Sequence, residues 1–290
     1  MRLLSLGPGF SRATESDGMT IPLPGPLWLI GCGNMAGAML ARWLQCGIDR
    51  SEISVVRPSG VAPADGIRTL TAPPEDEVPA IVLLSVKPQK LDEVAPLLAP
   101  ALDRHTILVS ILAGVELTSL RGRFAAPEAI VRAMPNTPVR LGKGVVALIA
   151  EGAGGEARGA VDALTAPLGH GEWFDDEARF ALAGHLAGAG PAFLFRFLDA
   201  LAAAGAALGL PGDQAMRLAK AMVEGAGALA AASADGPAEL ARRVASPGGT
   251  TEAGLRVLDE EDALRKLVEK TLDASRRRGI EMAAAARERG

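Results

Sequence analysis

The chain contains no tyrosine, and its three histidines, His105, His170 and His185, are scattered along it. Reducing a ketone or aldehyde requires a proton for the developing alkoxide, usually from a positioned Lys, His or Tyr, so this sequence is poorly equipped for that chemistry. Cysteine is nearly missing as well: Cys32 and Cys46 are too far apart for a CxxC pair, with no second pair to complete a metal site or a disulfide framework. No metal is expected, and a reducing, cytoplasmic setting is. Neither sign of charge dominates. Thirty basic and thirty-four acidic side chains leave a net charge of −4 without a long basic run, which makes nucleic acid and anionic membrane surfaces poor partners.

A clear secretory or transit signal is also lacking. Met1 to Pro26 mixes Arg2 and Arg12 with Glu15 and Asp17, and reads as a flexible N-terminal extension (1–26), with Met19 as an alternative start. One apolar stretch, Ala181 to Leu210, is long enough to span a bilayer. Arg196 and Asp199 near its middle would each cost about 2.5–3.5 kcal/mol against lipid, and Gly190-Pro191 interrupts it, so a buried helix of a soluble protein is expected instead.

What is present divides in two. Through the first half, short β-rich apolar runs alternate with helical spacing, the pattern of parallel strands joined by crossover helices. Strands are predicted at Leu27 to Ile30, Ile53 to Val56, Ile81 to Val86, Thr106 to Ile111, Ala129 to Arg132 and Val145 to Ile149, with helices at Met35 to Cys46, Leu91 to Leu98 and Leu117 to Phe124. Beyond Phe174 no strand pattern remains. Helices are predicted at Arg179 to Leu208, Asp213 to Ser233, Ala238 to Val244, Thr251 to Leu258 and Asp262 to Arg287. The expected fold is α/β: a Rossmann-type dinucleotide-binding domain over 27–175, then an all-α domain over 176–290. So much apolar surface in the second part exceeds what a small bundle needs internally, so a homo-oligomer is expected through it.

Leu27-Trp28-Leu29-Ile30 runs into Gly31-Cys32-Gly33-Asn34-Met35-Ala36 and then a helix. A glycine at Gly31 permits the tight turn, Gly33 lets backbone approach a pyrophosphate, and Ala36 lets helix pack on strand; Asn34 and Met35 open the helix whose N-terminus receives the anion. The pattern alone is weak, but its place on the first strand of an α/β half makes it specific. After the second strand the chain reads Val56-Arg57-Pro58-Ser59 where an NAD site would carry Asp or Glu. Arg57 and Ser59 suit a 2′-phosphate, so NADPH is expected, with NADH possible; solvation of a strand end is the competing explanation. Val86-Lys87-Pro88 and Asn136-Thr137 follow later strands at the edge where such sheets bind ligands. Lys87 either meets phosphate or nicotinamide or is an exposed loop charge. Asn136 and Thr137 either bond the carboxamide or cap a turn.

These motifs, with Gly188-Ala189-Gly190-Pro191-Ala192-Phe193 and Ser246-Pro247-Gly248-Gly249-Thr250-Thr251, resemble the pyrroline-5-carboxylate reductase family. The resemblance spans nearly everything after Leu27, and the 246–251 motif is its most specific part. It implies NADPH-dependent reduction of 1-pyrroline-5-carboxylate to L-proline, with a helical C-terminal domain interlocking two subunits. By the same resemblance Thr251 is catalytic, hydrogen-bonding the ring nitrogen; Ser246 and the Gly248-Gly249-Thr250 backbone hold the substrate carboxylate, and Gly190 lies against the pocket. N-capping is the ordinary alternative for Thr251. Ala187, Ala189 and Phe193 stand where the family commonly has two serines and a tyrosine, which places any mechanism needing those hydroxyls in doubt. A cyclic imine can be protonated before binding, so sparse acid–base equipment suits it. The rivals are a hydroxyacid dehydrogenase of similar build, which would need a lysine that Phe195 to Ala207 lacks, and a non-catalytic NADP sensor, which would need no substrate cradle.

Overall fold

The computed structural model describes residues 21–287. Most of the predicted extension, Met19 included, therefore lies outside the described residues. Residues 21–26 do not: Ile21 is buried in the core. The described chain forms two compact units, one of 21–189 together with 275–287, the other of 190–274. The division falls at Ala189–Gly190 rather than at 175/176, because the helix after the last strand packs back on the sheet, and the end of the final helix returns to the first unit.

In the first unit the order is β1 (Leu27–Ile30), α1 (Asn34–Gln45), β2 (Ile53–Val56), β3 (Arg68–Leu70), β4 (Ile81–Leu84), α2 (Leu91–Leu98), β5 (Ile107–Ser110), α3 (Leu117–Arg123), β6 (Ala129–Pro135), β7 (Gly144–Glu151), α4 (Gly155–Thr165), β8 (Gly169–Trp173) and α5 (Glu177–Ala183). They build one eight-stranded sheet ordered β3-β2-β1-β4-β5-β6-β7-β8. β1, β2, β4 and β5 are buried at every position, which is what helices on both faces require of unalternating Val, Ile and Leu runs. Two apolar layers result, one around Trp43, Leu29 and Val131, the other around Trp28, Leu98 and Phe124.

The expected α/β sheet of parallel strands joined by crossover helices is present, except that β7 runs antiparallel to β6. Residues 136–143 are too few for a parallel crossover, which takes roughly a dozen. β3 and β8 were not expected: both lie at sheet edges with half-exposed or exposed residues, so neither carries an apolar signature. α5 is held on the sheet by a partly buried ion pair between buried Arg132 on β6 and half-exposed Glu177, with the guanidinium 4.6 Å from the Phe180 ring centroid. Burial pushes the Arg132 pKa down, against the carboxylates of Glu177 and Glu116.

α5 does not continue smoothly into the next helix, as the sequence pattern suggests. A π-helical turn, Gly184–Gly188, intervenes. Gly184 lets the Met134 side chain pack against this turn, since a Cβ would displace Met134 Sδ.

The second unit contains α6 (Gly190–Ala207), α7 (Gly212–Ala232), α8 (Pro237–Val244), α9 (Thr250–Asp259) and the start of α10 (Ala263–Arg287). Glu177–Ala207 is long and apolar enough by composition to cross a membrane, yet only 6% of its most apolar window is buried. The expected buried helix is therefore not buried within one chain. Phe195 on α6 and Leu267 on α10 are each 62% exposed, and Phe197 on α6, Leu218 on α7 and Val268 on α10 are exposed as well.

Candidate functional site

In the α/β unit the predicted cofactor residues gather at one edge of the sheet. The strand order reverses between β1 and β4, and the C-terminal ends of the strands on either side of such a switch point frame a ligand crevice. Gly31 leaves β1 with φ +84°, where a Cβ would sit 3.0 Å from the Ser85 carbonyl oxygen, so only glycine fits. Its N–H donates to Val56 O at 2.8 Å, tying the turn to the end of β2. The Ser85 hydroxyl at the end of β4 donates to Gly31 O at 3.0 Å and to Ile30 O at 3.1 Å. Ser85 was not singled out from the sequence, because its partner lies 54 residues away.

Gly33 is the N-cap of α1 and is exposed, with nothing within 4 Å of where its Cβ would be. No side chain caps this helix and no acidic residue occupies its first turn, so the N–H groups of Asn34, Met35 and Ala36 face an anion without competition. Ala36 is buried against the sheet. The bare helix start and the open space at Gly33 fit a dinucleotide pyrophosphate.

Arg57 follows β2, its N–H held by Leu70 O at 2.9 Å while its half-buried guanidinium has no partner among the described residues. Its charge reaches the glycine turn: burial pushes the Cys32 thiol pKa up, and Arg57 pulls it partly back. Ser59 is exposed in the same loop, its oxygen accepting from Val61 N at 3.3 Å and its own proton left to donate. Lys87 is exposed just after β4, flanked by half-buried Val86 and Pro88.

Asn136 behaves differently from the expectation. It is buried, its Nδ2 donates to Ala187 O at 2.9 Å and its Oδ1 accepts from Val145 N at 2.8 Å. Those bonds join β7 to the π turn, and they favour a positioning role over binding a carboxamide. Thr137 is exposed at the start of the following 3₁₀ turn. The π turn is also pinned by His185, whose Nδ1 lies 3.1 Å from Ser275 Oγ on α10. Burial, then the Arg276 charge, hold the His185 pKa below its ordinary value.

In the helical unit, Ser246 to Thr251 forms a tight loop into α9. Gly248 has φ +72°, and a Cβ on Gly249 would lie 2.5 Å from Ser246 Oγ. The N-cap of α9 is Gly249, not a threonine, and no side chain caps the helix. Thr251 is thus not used for capping; half-buried in the first turn, its hydroxyl has no partner among the described residues. Two of the backbone donors expected to face a ligand are occupied: Gly249 N–H by Ser246 O at 2.9 Å, and Gly248 N–H by the Glu252 carboxylate at 2.7 Å. The N–H groups of Thr250 and Thr251 have no partner among the described residues. Gly190 opens α6 with no neighbour within 4 Å of its Cβ position.

A family model described as pyrroline-5-carboxylate reductase dimerisation matches residues 177–282, and one described as NADP oxidoreductase coenzyme F420-dependent matches 27–114. The pyrroline-5-carboxylate reductase of Pseudomonas aeruginosa is 36% identical over 261 residues, covering 88% of this chain and 95% of that protein. That of Synechocystis is 35% identical over 260 residues, covering 87% and 96%. The solved pyrroline-5-carboxylate reductase of Coxiella burnetii superposes with a TM-score of 0.83 at 29% identity, covering 89% and 98%. Sheet, bare glycine turn and exposed helical unit thus define a dinucleotide-dependent oxidoreductase with a dimerisation domain. The chain belongs to the pyrroline-5-carboxylate reductase family.

Proposed function

We propose that the protein reduces 1-pyrroline-5-carboxylate to L-proline, the last step of proline synthesis, taking NADPH in preference to NADH. The observation that carries this beyond family membership is the unspent Thr251 hydroxyl beside the free Thr250 and Thr251 N–H groups. That cluster offers an acceptor for a protonated ring nitrogen and donors for a carboxylate, the two polar features of this substrate.

Gly31, Gly33 and the open start of α1 hold the pyrophosphate. Arg57 and Ser59 hold the 2′-phosphate, while Lys87 and Thr137, beyond neighbouring strands, line the same sheet edge. Ser246 and the backbone at Thr250 hold the carboxylate, and Thr251 accepts a hydrogen bond from the iminium N–H, fixing which ring carbon is presented. The dinucleotide supplies the hydride. Because the iminium is already protonated, hydride addition gives the secondary amine directly, and no tyrosine or histidine acid is needed. The exposed apolar faces of α6, α7 and α10 are covered by a second copy of the chain. The two cysteines are free thiols, which suits a reducing compartment such as the cytoplasm.

The test is NADPH oxidation with pyrroline-5-carboxylate, repeated with NADH. Thr251→Ala should lower kcat/KM for the imine by roughly tenfold or more, the loss of one hydrogen bond to a charged group, with NADPH affinity retained. Oxidation of NADPH by a 2-keto or 3-keto acid but not by the imine would overturn the assignment in favour of a hydroxyacid dehydrogenase.

A further inference from the structure

The loop before α9 carries a carboxylate of its own. Gly248, in its left-handed conformation, directs its N–H at Glu252 Oε2, 2.7 Å away. Glu252 is the third residue of α9 and half-buried, and no basic side chain neutralises it among the described residues. Its negative charge lies where the helix start favours an anion, one residue from the free Thr251 N–H. An incoming carboxylate meets a site whose first donor is already taken by a like-charged group.

We propose that Glu252 is a built-in competitor for the substrate carboxylate: it occupies Gly248 N–H in the free loop, yields it when substrate binds, and retakes it to expel the product. This inference rests on the reading above that the 246–251 loop holds the substrate carboxylate. It assigns Glu252 a specificity role that reaches the substrate through Gly248, and it predicts that affinity improves when the charge is removed. A residue serving only as a helix cap predicts the opposite, since losing a cap loosens the loop.

Glu252→Gln is the informative variant, because the amide oxygen still accepts from Gly248 N–H while the charge is gone. Cyclopentanecarboxylate, a ring carboxylate without the reactive nitrogen, is titrated calorimetrically into wild type, Glu252→Gln and Glu252→Ala in the presence of NADP+. The expected result is a Kd about two- to fivefold lower in Glu252→Gln, the factor by which a charge at a helix start changes an anion's affinity, with NADP+ affinity unchanged. If Glu252→Ala does not fold, Glu252→Gln alone carries the measurement. An unchanged or weaker Kd in folded Glu252→Gln overturns the proposal, as does failure of every variant to bind the carboxylate. Tighter binding in a protein that cannot reduce the imine would fault the assigned reaction and not Glu252; turnover without tighter binding would do the reverse.

Discussion

Replacing Arg57 by aspartate should reverse the dinucleotide preference. The main chain at this position is anchored independently of the side chain, through Arg57 N–H to Leu70 O, and the guanidinium has no protein partner among the described residues. Stability should therefore change by no more than about 0.5 kcal/mol. A charge-assisted hydrogen bond to a phosphate contributes about 1.5–3 kcal/mol, so its loss should raise KM for NADPH roughly ten- to hundredfold. The new carboxylate also repels the 2′-phosphate and accepts from the ribose 2′-hydroxyl of NADH, so the NADH value should fall. Initial rates with each dinucleotide at saturating imine give both parameters, and the effect should lie in KM rather than kcat. Cys32 supplies a second readout. Arg57 pulls the Cys32 thiol pKa down against burial, so the substitution should move the pH midpoint of Cys32 alkylation upward. A raised midpoint with an unchanged NADPH-to-NADH ratio would show that Arg57 sits at the glycine turn without reading the 2′-phosphate, and would refute the reasoning.

The two glycines of the turn should respond differently. Gly31→Ala places a Cβ at φ +84° and 3.0 Å from Ser85 O, and should lower unfolding free energy by about 1–2 kcal/mol or more in urea titrations. Gly33→Ala meets no protein atom and should leave stability intact while weakening dinucleotide binding by fluorescence titration. His185 has a folded-state pKa below its ordinary 6.5, so the unfolded chain takes up the proton first as pH falls. Stability should drop from about pH 6.5 down through the lower folded value, and His185→Gln should flatten that part of the urea-midpoint profile relative to wild type. Phe195→Asp puts a charge on an exposed apolar face of α6 and should shift the sedimentation profile toward monomer; an unchanged profile would place the subunit interface elsewhere.

Much of the α/β unit was legible because its strands are buried on both faces. β1 and β2 begin and end at their predicted residues, and the helix after Gly33 starts within a residue of its predicted position. β3 and β8 escaped notice because edge strands need no apolar pattern. The antiparallel β7 was legible in principle from the short 136–143 link, although the strand pattern alone does not carry direction. Asn136 shows the limit at the site: an Asn-Thr-Pro sequence reads as a turn, and nothing local reveals that its amide is divided between Val145 and Ala187. Glu252 did leave a signal, a glutamate three residues past the N-cap Gly249, but that spacing announces capping and not competition with a ligand.

The sequence by itself determined the chemistry available: a glycine turn after a strand, a cation in place of an acid after the next, a hydroxyl-rich glycine loop before a helix, and no tyrosine and only three histidines. These are local properties, set by backbone conformations only glycine tolerates and by side-chain types within a few residues. Only the tertiary structure decided which of those groups remain free. It spent Asn136 on the π turn, Ser85 on the glycine turn and Gly248 N–H on Glu252, and among the described residues it left Arg57 and Thr251 unpaired. Hydrogen bonds of the first two kinds join residues about fifty positions apart, so the fold must form before it is settled which donors and acceptors a ligand will find.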